Sequence, residues 1–337
     1  MKHQENRWVG NPYRQEYLDG INRLIENMRK DADKARINKH RDILSNDDKY
    51  RREFKNMLGF PLNTEFDVND IPSAKKELVA KEETFSIYRM QIEIMPELWF
   101  YGLYFEHNDG KKRPFVICQH GGAGTCEICS SFFNSSNYND MVQRVLKYDV
   151  NVFAPQLLLW QSNVYGINYD RREIDISLKQ LGSSITALEI YGIMKSINYF
   201  STLDTTDTDK IGMVGLSYGG FYTLFTTACE TRIKAAYSTC FYNNRYTHNW
   251  SDWMWDGSAN KFFDNEIALL VYPRTLYVAV GENDASFKVD AAKEEFEILK
   301  KSVPEIENNM KFITFEGVHE FPPQEEYLKE WMADFLN

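Results

Sequence analysis

Long apolar runs are missing from this 337-residue chain. No stretch approaches the ~18 consecutive apolar residues that a membrane-spanning helix needs, and the opening MKHQENRWVGNPY lacks the apolar core of a secretory leader. A cytoplasmic location is the expectation. Cysteines are few and odd in number, five in all. Cys118, Cys229 and Cys240 sit in apolar segments where a reduced thiol acts as a small hydrophobe, so no disulfide framework is implied. Cys126 and Cys129 have the C-x-x-C spacing, but no second pair accompanies them for zinc and no thioredoxin-like setting surrounds them; packing or loop chemistry is their expected use. No dense Lys/Arg stripe offsets the formal net charge of −10, which argues against nucleic acid or an anionic membrane as the main partner. A small molecule is the expected partner, with the oligomeric state open and a homo-oligomer compatible. Repeats and low-complexity segments are absent as well.

What the chain does have is a core's worth of apolar residues, 43% of the total with 15% aromatic, enough for a globular protein of this length. Its character shifts near residue 80. From Tyr13 to about Leu58 it is charged and helix-rich, with Leu18, Ile21, Leu24, Ile25 and Met28 spaced as one helix face; residues 1–79 read as an N-terminal helical extension and 80–337 as the main domain. Two alternating runs, TFSIYRMQIEI and LWFYGLYFE, then read as an antiparallel hairpin. After them, short apolar runs ending in glycine or polar residues alternate with helix-length segments at 138–147, 176–200, 218–230, 289–300 and 324–336. Strand alternating with helix predicts a mostly parallel α/β sheet covered on both faces. In such a sheet chemistry sits at the carboxyl ends of the strands.

At one such end stands GLSYGG. The run KIGMVGL predicts a strand that delivers Ser217 into a turn so tight that Gly215 and Gly219 must lack side chains, and a helix begins at Tyr218. A serine raised there needs a base and an orienting acid. Asp284 follows the strand TLYVAV in GENDASF, with Glu282 and Asp290 as alternatives, and His319 follows MKFITF in EGVHEF. The order Ser, Asp, His suits a triad in this sheet type. The strand RPFVIC runs into QHGGAGT, where Gly121 and Gly122 let the backbone approach a substrate carbonyl; an N–H there, that of Gly122 foremost, would join the Tyr218 N–H in an oxyanion hole. His120 precedes the serine and belongs beside the hole rather than in the triad. The glycine loop lacks the P-loop lysine and the G-x-G-x-x-G spacing, which argues against phosphate binding. No ligand cluster suggests a metal or any other cofactor.

These pieces, HGG, GLSYGG, GENDASF and GVHEF in that order, resemble the α/β-hydrolase superfamily over about residues 80–337. More narrowly, RREFKNMLGFPL, the long segment leading into GLSYGG, and LLVYPRTLYVAVGENDASF resemble the acetyl xylan esterase and dienelactone-hydrolase-like branch. The resemblance implies an α/β-hydrolase fold and a metal-independent serine esterase with the triad Ser217, Asp284 and His319. It points to short-chain acyl, chiefly acetyl, esters, with carbohydrate a candidate alcohol. A cysteine nucleophile, usual for dienelactone hydrolysis, is not what the elbow carries. A prolyl-oligopeptidase-like small-peptide hydrolase and a hydrolase fold kept as a binding module are the alternatives. The first lacks room for propeller repeats, and the second predicts loss of a triad member, whereas all three are present. For substrate binding the aromatic segment 241–263 supplies Trp250, Trp253 and Trp255, with Trp160 and Tyr165 from an earlier loop facing the same mouth. Such rings either stack on a sugar or form a small buried cluster.

Overall fold

Valine, isoleucine and phenylalanine crowd the runs FVIC, NVFA, KIGMV and LYVAV, and in the computed structural model, which describes residues 2–248 and 250–337, each of these is a strand. Nine strands form one sheet: β1 (Ala74–Lys81), β2 (Phe85–Met95), β3 (Leu98–His107), β4 (Arg113–Gln119), β5 (Asn151–Pro155), β6 (Thr206–Leu216), β7 (Ile233–Thr239), β8 (Thr275–Gly281) and β9 (Met310–Phe315). Their order is β1-β2-β3-β5-β4-β6-β7-β8-β9. The first three strands run antiparallel, β3 pairs antiparallel with β5, and every pairing from β5 across to β9 is parallel. The predicted hairpin is β2 with β3. β1 extends it outward, starting inside the stretch read as helical extension; its lysines (Lys75, Lys76, Lys81) mark it as an edge, where charge discourages pairing with another chain.

The helices are α1 (Asn11–Ser45), α2 (Asp47–Leu58), α3 (Cys126–Cys129), α4 (Met141–Leu146), α5 (Arg171–Gln180), α6 (Ile185–Phe200), α7 (Tyr218–Cys229), α8 (Asp264–Leu269), α9 (Val289–Ser302) and α10 (Glu325–Leu336). The single helix expected over 176–200 is two. Asp170 caps α5 by accepting the Arg172 and Glu173 N–H groups, a turn at Leu181–Gly182 ends it, and Ser184 caps α6 by accepting the Ala187 N–H. Two apolar clusters fill the faces of the sheet. One is built around Phe115, Phe153, Phe200 and Phe221, the other around Val116, Val214, Tyr237 and Trp331.

Only the second half of α1 touches this body. Ala32, Arg36, His40 and Ile43 are buried, while Tyr13, Tyr17, Leu18, Leu24 and Met28 are each at least half exposed. The contact is polar at its centre: His40 lies 2.6 Å from both Glu266 and Ser302, and Arg36 lies 3.3 Å from Glu266. Glu295 lines the same crevice. Burial, with Asp264 and Glu266 adding like charge, pushes its carboxyl up to about 7 from an ordinary 4.5. Between those two values the folded chain holds a proton that the unfolded chain has released, so stability falls as pH rises through that window. Glu295→Gln is therefore expected to match the parent near pH 4.5 and to exceed it above pH 7 by about 1–3 kcal/mol. Urea denaturation at both pH values checks this, and a variant less stable than the parent at pH 8 would contradict it.

Candidate active site

The sheet reverses its order of travel between β4 and β6, since β5 lies on one side of β4 and β6 on the other. A crevice opens at such a point, between loops that leave in opposite directions. QHGGAG leaves from β4 and LSYGG from β6. At the second loop Ser217 has φ +59°, a left-handed conformation that is strained for a serine. It is held by its own N–H donating to the Thr239 carbonyl at 2.9 Å and by its carbonyl accepting the Phe221 N–H at 2.9 Å. The two glycines are sterically required: a Cβ on Gly215 would come within 2.4 Å of Gly219 backbone atoms, and one on Gly219 within 2.0 Å of the Gln119 carbonyl.

Asp284 and His319 come together from the ends of β8 and β9. His319 Nδ1 lies 2.8 Å from Asp284 Oδ2, while Asp284 Oδ1 accepts the N–H groups of Ser286 (2.8 Å) and Phe287 (2.9 Å). Burial alone would raise the Asp284 carboxyl; the His319 hydrogen bond and the two backbone donors outweigh it and hold the group below the usual carboxylate range. Phe287 stacks on the imidazole with ring centroids 5.6 Å apart, and Asn137 donates to the His319 carbonyl at 2.9 Å. Glu282 and Asp290, the alternatives to Asp284, are exposed. Ser217 and His319 line the same cavity. An imidazole whose Nδ1 is held by a carboxylate, in the same cavity as a raised serine, is an arrangement that can take a hydroxyl proton.

Around the serine, the Gly121 N–H donates to the Tyr138 hydroxyl at 2.7 Å. That corrects the inclusion of Gly121 as a donor to substrate, because its one N–H is already used. The Gly122 and Tyr218 N–H groups have no acceptor among the described residues. His120 is buried, its Nε2 accepting the Leu157 N–H at 2.9 Å and its Nδ1 lying 2.7 Å from the Gly121 carbonyl. This pattern requires the proton on Nδ1, and burial lowers the imidazole to about 4, so the ring is neutral and ties the loop after β4 to the segment after β5.

Two cavities meet at Ser217. A narrow one of about 160 Å³ is lined by Gly121, Gly122, Asn137, Tyr138 and His319 among others. A wider one of about 390 Å³ is lined by Gly122, Ala123, Trp160, Arg172, Tyr218 and Trp250. Trp160 and Trp250, two of the four tryptophans that the sequence singled out, line the wider cavity. Trp253 and Trp255 do not line it. Trp253 is buried beneath Trp250 (ring centroids 4.7 Å apart) against Phe221 and Phe241, and Trp255 packs near Phe225 and the Lys179 ammonium. Trp253, three positions on from the exposed Trp250, turns inward at the end of a short 3₁₀ turn over Ser251–Trp253. Tyr165 reaches only the rim, donating to the Ala123 carbonyl at 3.3 Å.

Sequence reasoning missed what supports this wall. Arg171 is buried and binds Glu189 through both terminal nitrogens (3.0 Å each), Asp252 through Nε (3.0 Å) and the Tyr222 hydroxyl (2.8 Å). The Tyr218 hydroxyl donates to Asp252 at 3.0 Å, and Glu189 accepts the Leu158 N–H at 2.8 Å. Burial opposes every charge here, yet Glu189 and Asp252 hold the Arg171 guanidinium charged. The available signal was Glu189 itself, one carboxylate inside the apolar helix ITALEIYGIM. Among the described residues one trio of metal-type side chains converges, Cys240 with Asp284 and His319. Two of these are engaged with each other, and burial pushes the Cys240 thiol up, so it stays protonated. Cys126 and Cys129 are buried free thiols in α3.

The fold has many solved counterparts. A Bacteroides fragilis protein proposed to be an acetyl xylan esterase superposes with a TM-score of 0.64 at 16% identity, covering 87% of this chain and 83% of its own. A glucuronoyl esterase from Solibacter usitatus gives 0.61 at 12% identity over 85% and 92%, and acetyl xylan esterase 1 from a Thermoanaerobacterium species gives 0.53 at 13% over 86% and 93%. At such identities the likeness establishes the α/β-hydrolase fold. No curated protein sequence matches significantly. The family comparison goes further than the fold, because the model of one family spans β4 to α10, the two cavities and all three residues of the candidate triad: over residues 109–329 the chain matches, and belongs to, the dienelactone hydrolase family.

Proposed function

We propose that this carboxylic ester hydrolase works through an acyl-enzyme on Ser217 and cleaves short-chain acyl esters borne on carbohydrate. In this reading His319 takes the serine proton and returns it to the leaving alcohol, Asp284 holds the imidazole in the required tautomer, and the Gly122 and Tyr218 N–H groups receive the oxyanion. The observation that carries the proposal is the pair of unequal cavities meeting at Ser217, one narrow and one wide with aromatic walls. They suit an ester with one small half and one broad, flat half. Flat rings suit a sugar face, and the Trp160 indole N–H has no acceptor among the described residues, which supports a role in meeting a substrate oxygen. The resemblance in fold to acetyl xylan esterases agrees.

One observation favours a second arrangement of the same two halves. Of the two cavities only the narrow one includes His319, and the group that protonates the leaving oxygen belongs beside the alcohol. The aromatic cavity would then receive the acid half, as in a uronate ester of a small alcohol, with the exposed Arg172 positioned to meet its oxygens; a glucuronoyl esterase is among the fold neighbours. Turnover of acetyl, butyryl and octanoyl p-nitrophenyl esters, of peracetylated xylose and of methyl glucuronate decides between them. The first arrangement expects kcat/KM to fall on the order of 10- to 200-fold per step of acyl lengthening, with acetate released from the sugar. Methyl glucuronate turned over while sugar acetates are untouched would replace it with the second. Octanoyl esters preferred over both would remove the carbohydrate from either.

A further inference from the structure

The apolar stripe that the sequence marks as one face of α1 is left exposed along its first half, with nothing packed on it among the described residues. Tyr13, Tyr17, Ile21, Leu24, Ile25 and Met28 are 37–75% exposed. At 100° per residue they fall, with Leu18, within an arc of about 140°. With Trp8 and Val9 just before the helix, these side chains expose on the order of 1,000 Å² per copy, against the ~800 Å² per partner that a standard specific interface buries. Monomeric proteins rarely leave so large a contiguous apolar patch in water. The stretch from residue 11 to 31 carries four basic and four acidic side chains. It is neutral on a chain of net charge −10, so no local field drives two such stretches apart or draws them to a polyanion.

We propose that the α1 arms of two copies pair antiparallel through this stripe, making the protein a dimer. The direction follows from where the body sits. Ala32, Arg36 and Ile43 continue the same side of the helix and are buried on the chain's own body. In a parallel pair both bodies would have to occupy the space between the two helices at one end. Reversing one helix puts the bodies at opposite ends and leaves stripe facing stripe, with Ile21 near the two-fold axis. The seam has Tyr17, Ile21, Leu24 and Met28 at 4-3-4 spacing, which is the repeat of a two-helix interface.

Sedimentation velocity of the full chain at tens of micromolar is expected to give twice the chain mass. The double variant Leu24→Glu/Ile25→Glu is expected to weaken association at least 100-fold and sediment as a monomer. Its esterase activity, read on a small acetyl ester, should be unchanged, which reports that the body remains folded. For orientation, the five native cysteines are all buried, so an added surface thiol reports alone. Ile21→Cys, on the seam close to the two-fold, is expected to form a disulfide-linked dimer under mild oxidation, and Arg14→Cys is not. A monomeric parent chain, a dimer that survives the double variant, or Arg14→Cys linking to itself while Ile21→Cys does not would each overturn the proposal.

Discussion

Replacing Ser217 by alanine is expected to lower kcat on a p-nitrophenyl acetate substrate by about 10⁶, the scale of losing a triad nucleophile, with the fold retained. Retention follows from how the elbow is held: the bonds that fix it involve the Ser217 N–H and carbonyl, and alanine keeps both. The strain at φ +59° remains and is tolerated because Gly215 and Gly219 leave the turn its space. A cysteine, the nucleophile usual in dienelactone hydrolysis, would occupy the same elbow, so the measurement is a test of the serine itself. A fluorophosphonate should label the parent on the peptide containing Ser217 and leave the variant unlabelled. A pure, folded Ser217→Ala protein that still turns over the ester at more than a trace would refute the assignment.

Asp284→Asn is expected to cost roughly 10⁴ in kcat near neutral pH, and the hydrogen bonds around the residue explain why an isosteric amide fails. Oδ1 accepts two backbone N–H groups, from Ser286 and Phe287, while Oδ2 meets His319 Nδ1. An asparagine must turn its carbonyl oxygen toward the two N–H donors and so presents its NH₂ to the imidazole. Nδ1 then has to accept, which moves the ring proton to Nε2, the nitrogen that should receive the serine proton. Glu282→Gln serves as the comparison, since Glu282 is exposed and should be nearly silent. If Glu282→Gln is the inactive variant and Asp284→Asn is close to normal, the acid has been wrongly chosen.

How far the sequence reaches depends on whether a segment's local pattern has one physical meaning. The runs that became β4 to β8 are largely buried on both faces, that of β9 is apolar and half-buried, and all are bounded by glycine or polar residues, a combination that suits a parallel strand, so the sheet and the loops carrying Ser217, Asp284 and His319 were legible. β1 was not, because AKKELVAK carries the charges of an exposed edge and so resembles a linker. The break between α5 and α6 was missed because its evidence is capping: Ser184 does the work that a proline or a longer glycine-rich turn would have advertised. The tryptophans divide by geometry that no one-dimensional pattern contains. Trp160 and Trp250 face the cavity, while Trp253 is buried under Trp250 and does not reach it. The apolar stripe on α1 was legible as one helix face, but not that its first half stays exposed.

The Arg171 cluster also bears on how the substrate range of this enzyme could change over generations. Tyr218 contributes its main chain to the rim of the nucleophile turn and its hydroxyl to Asp252, which shares Arg171 with Glu189, and Glu189 in turn holds the Leu158 N–H of the segment leading to Trp160. A change at any of these buried charges strands the others without a counter-charge, an outcome that costs far more than a surface substitution. Substitutions that alter specificity without loss of the fold are expected at positions that face the cavity without belonging to the cluster. Arg172 and Trp250 are both exposed and lie on its wall. The support beneath the site is expected to tolerate little change, and its rim considerably more.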